Sequence, residues 1–593
     1  MSGSSVLATE VLAVNGGSSP FAAAAVVTTG PLLQGFAPSV WGDFFITYAL
    51  SNSQACRLNS VVHRSEECRR ERAEALKGQV RRKLLKATSN SSVAEMVVLV
   101  DTLERLGIDN HFRHEIGAML HRVHSEEHGG GGGAAGSDVA DDDLHVTSLR
   151  FRLLRQHGLG ISADVFDKFR DNGGSFRASL SSDTRGLLSL YNAAHLAMPG
   201  EEVLDDAIAF SRRHLRSMKT AGKLRSPMAE QVSRALDIPL PRTPRRLEAM
   251  RYIHEYGDEP GFDGVVLELA RLDFELVKSL HLRELKALTL WWKDFYDNVK
   301  LSYTRDRIAE VFFWVSGVYY EEEYSRARIM LAKVFGLITL MDDTYDVQAT
   351  LDECCRFNEA IQRWDNGAVS LLPEYMHAYY IQLLSNFDEM ENSLEPNEKH
   401  RVSYAITMYK QLSEYYLQEA RWSSHRYLPS FAEHLYVSSI SSGIPALAPA
   451  VLMGVHDGDG VATKEALEWA CAIPDLLLAS GEVGRLLNDI AAWKVGKNRK
   501  DVQSLVETYM TEHGAGGDAA VAAVAAASER AWRRINRACV EAVEPALLPA
   551  AQLLVNLTST MEVVYLGGKD GYTSGSGLKG VITDLLLGPV HDD

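Results

Sequence analysis

The chain has 593 residues with 46% hydrophobic and 23% charged side chains, an ordinary globular composition with length for more than one domain and for large cores. Its net charge of −17 leaves no basic excess to neutralise phosphates, which argues against a nucleic-acid binder. An anionic small substrate stays open, because a bound divalent metal reverses the local field.

Residues 11–42 carry no charge. Their uninterrupted apolar part, 21–27, falls far short of the ~20 residues of a spanning helix, so no membrane span is expected. No basic residue precedes Arg57, so the positive start of a signal peptide is missing. We read residues 1–35 as a disordered lead-in, with a plastid transit peptide as the alternative. The six cysteines, Cys56, Cys68, Cys354, Cys355, Cys471 and Cys539, are scattered without a CxxC pair. That pattern suggests neither a disulfide framework nor a zinc site, and it fits a reducing compartment.

From residue 60 onward, apolar residues recur at three- and four-residue spacing, the signature of helices. Residues 92–106 show it through Val93, Met96, Val97, Val100, Leu103 and Leu106, and 187–196 and 265–282 repeat it. Alternating strand patterns are scarce, so an all-α fold is expected. Gly129 to Gly133 is a flexible glycine loop, and the helix after it opens near Asp143 or Thr147. Proline and glycine break the pattern at 238–244 and at 257–264, on either side of a helix over 245–256. These breaks place a domain boundary near residue 258, giving helical domains over 36–258 and 259–593. A loop over 513–517 precedes an alanine-rich helix over 518–542. Gly567, Gly568, Gly571, Gly575 and Gly577 form the last glycine-rich loop. The absence of a fixed repeat period weakens a solenoid reading.

The chemistry concentrates in Leu340-Met341-Asp342-Asp343-Thr344-Tyr345-Asp346, which closes an apolar run from Met330 whose single charge is Lys333. On a helix, Asp342 and Asp346 lie one turn apart and point the same way, with Asp343 about 100° round. Carboxylates so close repel and raise each other's pKa until a cation joins them, and hard oxygen ligands suit Mg²⁺. A solvated acidic helix end is the alternative. Upstream stands Arg305-Asp306-Arg307. Arginine forks match phosphate oxygens, though surface arginines more often pair with nearby acids. Downstream, Arg485-Leu486-Leu487-Asn488-Asp489-Ile490 lies on an apolar helix with Leu476, Leu477, Leu478 and Val483. An Asn-Asp pair there is costly unless satisfied, either by a second metal-facing wall or by a helix end facing water. Tyr565 and Asp570-Gly571-Tyr572-Thr573, in and beside the glycine-rich loop, suit a lid or an exposed turn.

Together these stretches resemble one family, the plant terpene synthases, most closely the cytosolic sesquiterpene synthases. The resemblance covers nearly the whole chain from Phe36. Phe36-Ala37-Pro38-Ser39-Val40-Trp41 looks like the family's N-terminal motif. The stretches 148–157, 187–194 and 246–253, with Trp291-Trp292-Lys293-Asp294, are similar to its helices. The resemblance implies two helical domains: an N-terminal α-barrel-like domain and a C-terminal class I terpenoid synthase helical bundle. It implies Mg²⁺, with Mn²⁺ as a substitute, held by Asp342, Asp343 and Asp346 on one wall and Asn488 on the facing wall.

Arg305, Arg307 and Arg485 would then hold the diphosphate. Trp314 would lie on the pocket wall, where its π-face favours a cation; its other reading is a core aromatic of a helix over 311–319. Tyr565 and Tyr572 would line or close the pocket, and Asp570 would sit at the lid and take part in proton transfer. A helix break at Ser441-Ser442-Gly443 would offer backbone carbonyls to the cation. The implied reaction is Mg²⁺-dependent ionisation and cyclisation or rearrangement of farnesyl diphosphate, with release of diphosphate, by a cytoplasmic monomer. The tandem arginine that precedes the tryptophan in plastid and monoterpene enzymes is absent before Trp41, which favours the farnesyl substrate and the cytosol.

One departure stands out. The family's second metal motif sets an Asp or Asn, a Ser or Thr and a Glu four residues apart on one helix face. Here those positions are Asn488, Ala492 and Gly496. Two oxygen donors are missing, and Gly496 weakens the helix by ~1 kcal/mol relative to alanine. Asp489 is the nearest spare carboxylate but points about 100° away from Asn488, and Asp501 is too far along to substitute. Slowed ionisation is the expectation. The competing expectations are a silent relative that still binds prenyl diphosphate, a monoterpene synthase using geranyl diphosphate, and a non-enzymatic helical interaction protein.

Overall fold

Short polar caps set the helices where the periodicity places them. Ser92 opens a helix with a capping box: its hydroxyl accepts the Glu95 N–H, and the Glu95 carboxylate takes the Ser92 N–H. The buried face of that helix carries Met96, Val97, Val100 and Leu103, the predicted stripe. Asp143 caps the helix after the glycine loop, and Asp263 caps the longest helix, Gly264–Val299. The computed structural model describes residues 36–51, 59–128, 143–456, 458, 460–495 and 503–589. The expected lead-in and the five-glycine loop lie outside the described residues, as do Gly496 and Asp501.

The fold is all-α. In the upstream half run α1 (Phe44–Ser51), α2 (Asn59–Asn90), α3 (Val93–Arg105), α4 (Arg113–His128), α5 (Leu144–Gln156), α6 (Thr184–Ala194), α7 (Glu202–Thr220), α8 (Met228–Asp237) and α9 (Arg245–Tyr256). The downstream half begins with α10 (Gly264–Val299), α11 (Ile308–Val318), α12 (Ser325–Asp343), α13 (Leu351–Arg363), α14 (Glu374–Ser393) and α15 (Arg401–His425). It continues with α16 (Phe431–Ser441), α17 (Ile444–Met453), α18 (Lys464–Cys471), α19 (Asp475–Val495), α20 (Leu505–His513) and α21 (Gly517–Arg537). It closes with α22 (Leu548–Val564), α23 (Gly571–Ser574) and α24 (Ser576–Leu587). An isolated bridge between Arg170 and Phe176 is the one β pairing among the described residues.

The turn between α9 and α10 contains residue 258, and α10 bridges it. This helix packs on α2 and α9 of the upstream half and on α11, α12 and α14 of the downstream half. His111 and Asp273 meet across the same junction at 2.6 Å. One apolar core runs through both halves, from Trp41 and Phe45 to Leu585 and Leu586, with a smaller cluster where α19, α20 and α21 meet.

In the downstream half α11, α12, α15, α16, α17, α19 and α22 pack as neighbours around a central space. Two glycines set its geometry. Gly443 has φ of +81°, the left-handed region that separates α16 from α17 and makes the predicted break. At Gly481 a Cβ would come within 2.2 Å of the Ser439 carbonyl oxygen, so only glycine lets α19 lie against that break. Residues 431–453 are apolar and long enough to cross a membrane, but they are mostly buried in the bundle and interrupted at Gly443.

The aspartate motif departs from the expected continuous α-helix. α12 ends at Asp343, and Thr344–Gln348 forms a π-turn in which the Ala349 N–H bonds the Thr344 carbonyl. The Thr344 hydroxyl donates to the Leu340 carbonyl, and the Tyr345 hydroxyl is fixed by Ser413, so the chain widens by one residue here. Turns of this kind re-aim side chains and recur at functional sites. The last glycine-rich loop is also more ordered than expected, folding into the short helices α23 and α24.

Candidate active site

The central space is a cavity of about 780 Å³. Its inner wall is aromatic: Trp314 from α11, Phe335 from α12 and Tyr572 from α23 meet with ring centroids 5.1–5.8 Å apart. The Trp314 indole N–H donates to the Leu557 carbonyl at 3.2 Å, which locks the ring. Carboxylates, cations and an amide gather elsewhere on the lining: Asp342, Asp346, Glu419, Arg305, Arg485 and Asn488.

The adjacent aspartates do different things. Asp342 and Asp346 line the cavity, whereas Asp343 does not. Asp343 is 1% exposed, accepts the Arg305 backbone N–H at 2.7 Å and Arg305 Nε–H at 3.2 Å, and pairs with that guanidinium at 2.9 Å. Burial pushes its carboxyl up to about 6, with Arg305 opposing and Asp342 adding to the rise. Of the three aspartates expected to converge, two border the cavity, because the register at the end of α12 turns Asp343 into the protein against Arg305.

Arg305 also bonds Asp342, and its guanidinium lies 5.2 Å from the Phe36 ring and 5.4 Å from the Tyr572 ring. Burial works against its charge, but Asp343 and then Asp342 hold it well above the ordinary arginine value. Arg307 does not reach the cavity. It is 1% exposed and spends its N–H groups on backbone carbonyls: Tyr572 at 3.1 Å, Thr573 at 2.8 Å, Ala37 at 2.8 Å and Asp306 at 2.7 Å. The expected diphosphate role of Arg307 therefore becomes that of a clasp joining the N-terminal segment to the lid.

On the facing wall, Arg485 donates to the Ser438 carbonyl at 3.3 Å and to Ser441 Oγ at 3.1 Å, and lies 3.7 Å from Glu419. Burial opposes its charge, and Glu419, Asp489, Asp342 and Asp346 outweigh that and raise its pKa. One turn on, Asn488 Nδ2 donates to Tyr565 Oη at 3.2 Å, leaving its oxygen as a donor atom for a cation. Burial raises the Tyr565 phenol, with Asp570 adding to the effect. Asp489 is committed to the Leu505 N–H at 2.6 Å, where it starts α20. Ala492 lines the cavity without an oxygen to offer, and Gly496 lies outside the described residues. Asp570 caps α23 by accepting the Thr573 N–H at 2.8 Å while bordering the cavity.

Sequence reasoning missed Glu419 and Tyr416. Both lie on α15 and line the cavity. Burial first, and then Asp342 and Asp346, raise the Tyr416 phenol well above its usual value. Tyr416 and Glu419 lie three residues apart and share one face of α15, but that helix is about half polar, so the pair carries no clear signal in the sequence. It missed Thr339 and Glu310 as well, since a threonine and a glutamate inside apolar runs carry no spacing signature.

A divalent metal fits this donor set in one way. Among the described residues no three His, Cys, Asp or Glu side chains converge to hold an ion alone. The oxygens of Asp342, Asp346 and Asn488 would share it with phosphate and water, the partial protein coordination common for Mg²⁺.

Residues 40–236 match the family model "Terpene synthase, N-terminal domain", and residues 293–534 match "Terpene synthase family, metal binding domain". A eudesmanediol synthase of Zea mays is 53% identical over 556 residues, 93% of this chain and 95% of the relative. A tau-cadinol synthase of Zea mays is 43% identical over 91% of this chain and 94% of its own length. Isoprene synthase of grey poplar, Populus x canescens, was solved with three Mg²⁺ ions and dimethylallyl-S-thiolodiphosphate. It superposes with a TM-score of 0.79 at 30% identity, covering 88% of this chain and 98% of that one.

Proposed function

Because the chain belongs to the terpene synthase family, we propose that it is a sesquiterpene synthase that ionises farnesyl diphosphate with Mg²⁺ and cyclises the resulting cation. The observation that carries the reading is one cavity whose lining sets Asp342 and Asp346 with Asn488 and Arg485, and whose inner wall is Trp314, Phe335 and Tyr572. The names of the maize relatives support the fifteen-carbon substrate, with two oxygenated products, eudesmanediol and tau-cadinol, and one hydrocarbon, alpha-copaene, among them.

The residues divide the work. Asp342, Asp346 and Asn488 would hold the divalent ions, which take up negative charge building on the leaving diphosphate. Arg485 and Arg305 bind phosphate oxygens as charged forks. Asp343 holds Arg305 from behind, and Glu419 pairs with Arg485 on the cavity lining itself. Trp314, Phe335 and Tyr572 offer π-faces to the cation and keep bulk water out. Arg307 ties Tyr572 and Thr573 to the N-terminal segment at Ala37, which keeps the lid over the cavity. A cytosolic location belongs to the same proposal, supported by the missing arginine pair ahead of Trp41, and a fluorescent fusion in plant cells checks it.

The test is a product assay with farnesyl and geranyl diphosphates, in Mg²⁺ and in Mn²⁺, read by gas chromatography and mass spectrometry. Fifteen-carbon products in Mg²⁺ are expected. Turnover of geranyl diphosphate alone, or of neither substrate, overturns the proposal.

A further inference from the structure

On the cavity wall, the Thr339 hydroxyl makes two contacts. It lies 3.0 Å from the Phe335 carbonyl one turn back on α12, and 2.6 Å from the Tyr572 hydroxyl. Both side chains border the cavity, and both are more than nine-tenths buried. A threonine hydroxyl has one hydrogen. The Phe335 carbonyl can only accept, so Thr339 donates there, in the usual bond of a helical threonine to the carbonyl four residues back. Tyr572 is then the donor of the 2.6 Å bond, and its hydrogen points at Thr339 Oγ1. The lone pairs of the phenol oxygen are left to the cavity.

Tyr572 has little freedom to change this. Its ring stands edge-on to Trp314 at 5.8 Å, its carbonyl is held by Arg307, and the next residue is fixed by the Asp570 cap. The direction of one O–H bond decides which way a neighbouring water faces. A phenol hydrogen pointing into the cavity would donate to the water oxygen and turn the water's hydrogens toward a cation. A phenol oxygen that accepts from the water turns the water's own lone pair outward.

We propose that Thr339 is a positioning residue that sets the Tyr572 hydroxyl so that its oxygen holds one water with a lone pair facing the substrate cation, making the chain a producer of sesquiterpene alcohol. The inference rests on the sesquiterpene synthase reading above. In the step, the water oxygen supplies both electrons of a new C–O bond to the cationic carbon. The oxonium formed gives one proton to an oxygen of the released diphosphate, leaving a neutral alcohol. Tyr572 touches the reacting water, whereas Thr339 acts through Tyr572.

The experiment compares parent, Thr339→Val, Thr339→Ser and Tyr572→Phe on farnesyl diphosphate with Mg²⁺ in water labelled with heavy oxygen. The readout is the ratio of labelled alcohol to hydrocarbon among molecules turned over, which is independent of rate. Valine keeps the shape and removes the hydroxyl; serine keeps the hydroxyl and loses a methyl. The parent and Thr339→Ser are expected to share a ratio, and Thr339→Val and Tyr572→Phe to lower it about tenfold, the scale of one hydrogen bond. An unchanged ratio in Thr339→Val or in Tyr572→Phe overturns the inference. So does a serine variant that falls as far as valine, since packing would then be the cause. If Thr339→Val does not fold, the serine and phenylalanine arms decide. A parent that turns over farnesyl diphosphate to hydrocarbon alone overturns this inference and leaves the proposed function standing. A parent that consumes no prenyl diphosphate overturns both.

Discussion

Arg305 gives both its backbone N–H and its side-chain Nε to the carboxylate of Asp343, while its other arm bonds Asp342. Two neighbouring aspartates thereby acquire different duties. Asp342 faces the cavity with Asp346, and Asp343 anchors Arg305, which lines the same cavity. Asp342→Asn and Asp346→Asn are expected to lower kcat/KM by about 10- to 100-fold or more and to raise the Mg²⁺ needed for half-maximal rate. Asp343→Asn is expected to raise KM with the Mg²⁺ dependence close to that of the parent. Steady-state kinetics across a Mg²⁺ titration separate the two patterns, and an Asp343→Asn variant whose main defect is metal demand contradicts the division.

The second wall carries a prediction of gain. Ala492 borders the cavity where a hydroxyl would supply an oxygen, and Gly496, outside the described residues, follows four positions later in the sequence, the spacing of the family's second metal motif. Ala492→Thr combined with Gly496→Glu restores two hard oxygen donors beside Asn488. The double variant is expected to turn over faster than the parent at low Mg²⁺. The two should converge as Mg²⁺ rises, because added metal compensates for weaker binding. A double variant no faster at any Mg²⁺ concentration shows that these positions are not limiting.

The helical architecture was legible because it is written in local spacing. The stripe of Met96, Val97, Val100 and Leu103 and the Asp143 cap stand where periodicity and cap chemistry set them, and the break at Gly443 stands where the family resemblance set it. The cavity-facing set was legible as far as motifs reach: Asp342, Asp346, Arg485, Asn488, Tyr565 and Tyr572 do border one space. What escaped depends on contacts between residues far apart in the chain. No spacing reveals that Arg307 is consumed by carbonyls at Ala37, Tyr572 and Thr573, or that a π-turn follows Asp343. Glu419 escaped because a lone glutamate reads as solvated surface until a second helix closes over it.

Arg307 supplies a test of the clasp. Its fork reaches the N-terminal segment at Ala37 and the lid at Tyr572 and Thr573 together. A lysine carries the same charge but lacks the planar set of five donors, so it cannot serve these carbonyls at once. Arg307→Lys is expected to speed proteolytic cleavage near residues 566–577 and to raise the share of acyclic or prematurely quenched products. Arg485→Lys is expected to slow turnover without exposing the lid. Limited proteolysis read by mass spectrometry, beside product profiles, distinguishes them; equal lid protection in parent and Arg307→Lys removes the clasp.

Glu310 gives the clearest pH signature outside the cavity. It sits three residues after Arg307 on α11 and has no exposed surface. One oxygen accepts the Trp41 indole N–H at 3.1 Å, and the other is buried without a partner. Burial pushes its carboxyl from the ordinary 4.5 up to about 7, against the pull of its own backbone N–H, Arg307 and Trp41. The native state then keeps the proton where the unfolded chain has lost it. Native protein binds more protons between pH 4.5 and 7, so stability falls as pH rises through that window and levels off above it. The shift sets an upper bound of about 3 kcal/mol on the effect. Glu310→Gln keeps an acceptor for Trp41 and removes the charge, so its stability should escape this decline. Denaturant melts of parent and variant should therefore diverge from pH 4.5 to 7 in favour of the glutamine form and run parallel above pH 7. Curves parallel across the whole range would mean that water reaches the carboxylate and that Trp41 does not seal it.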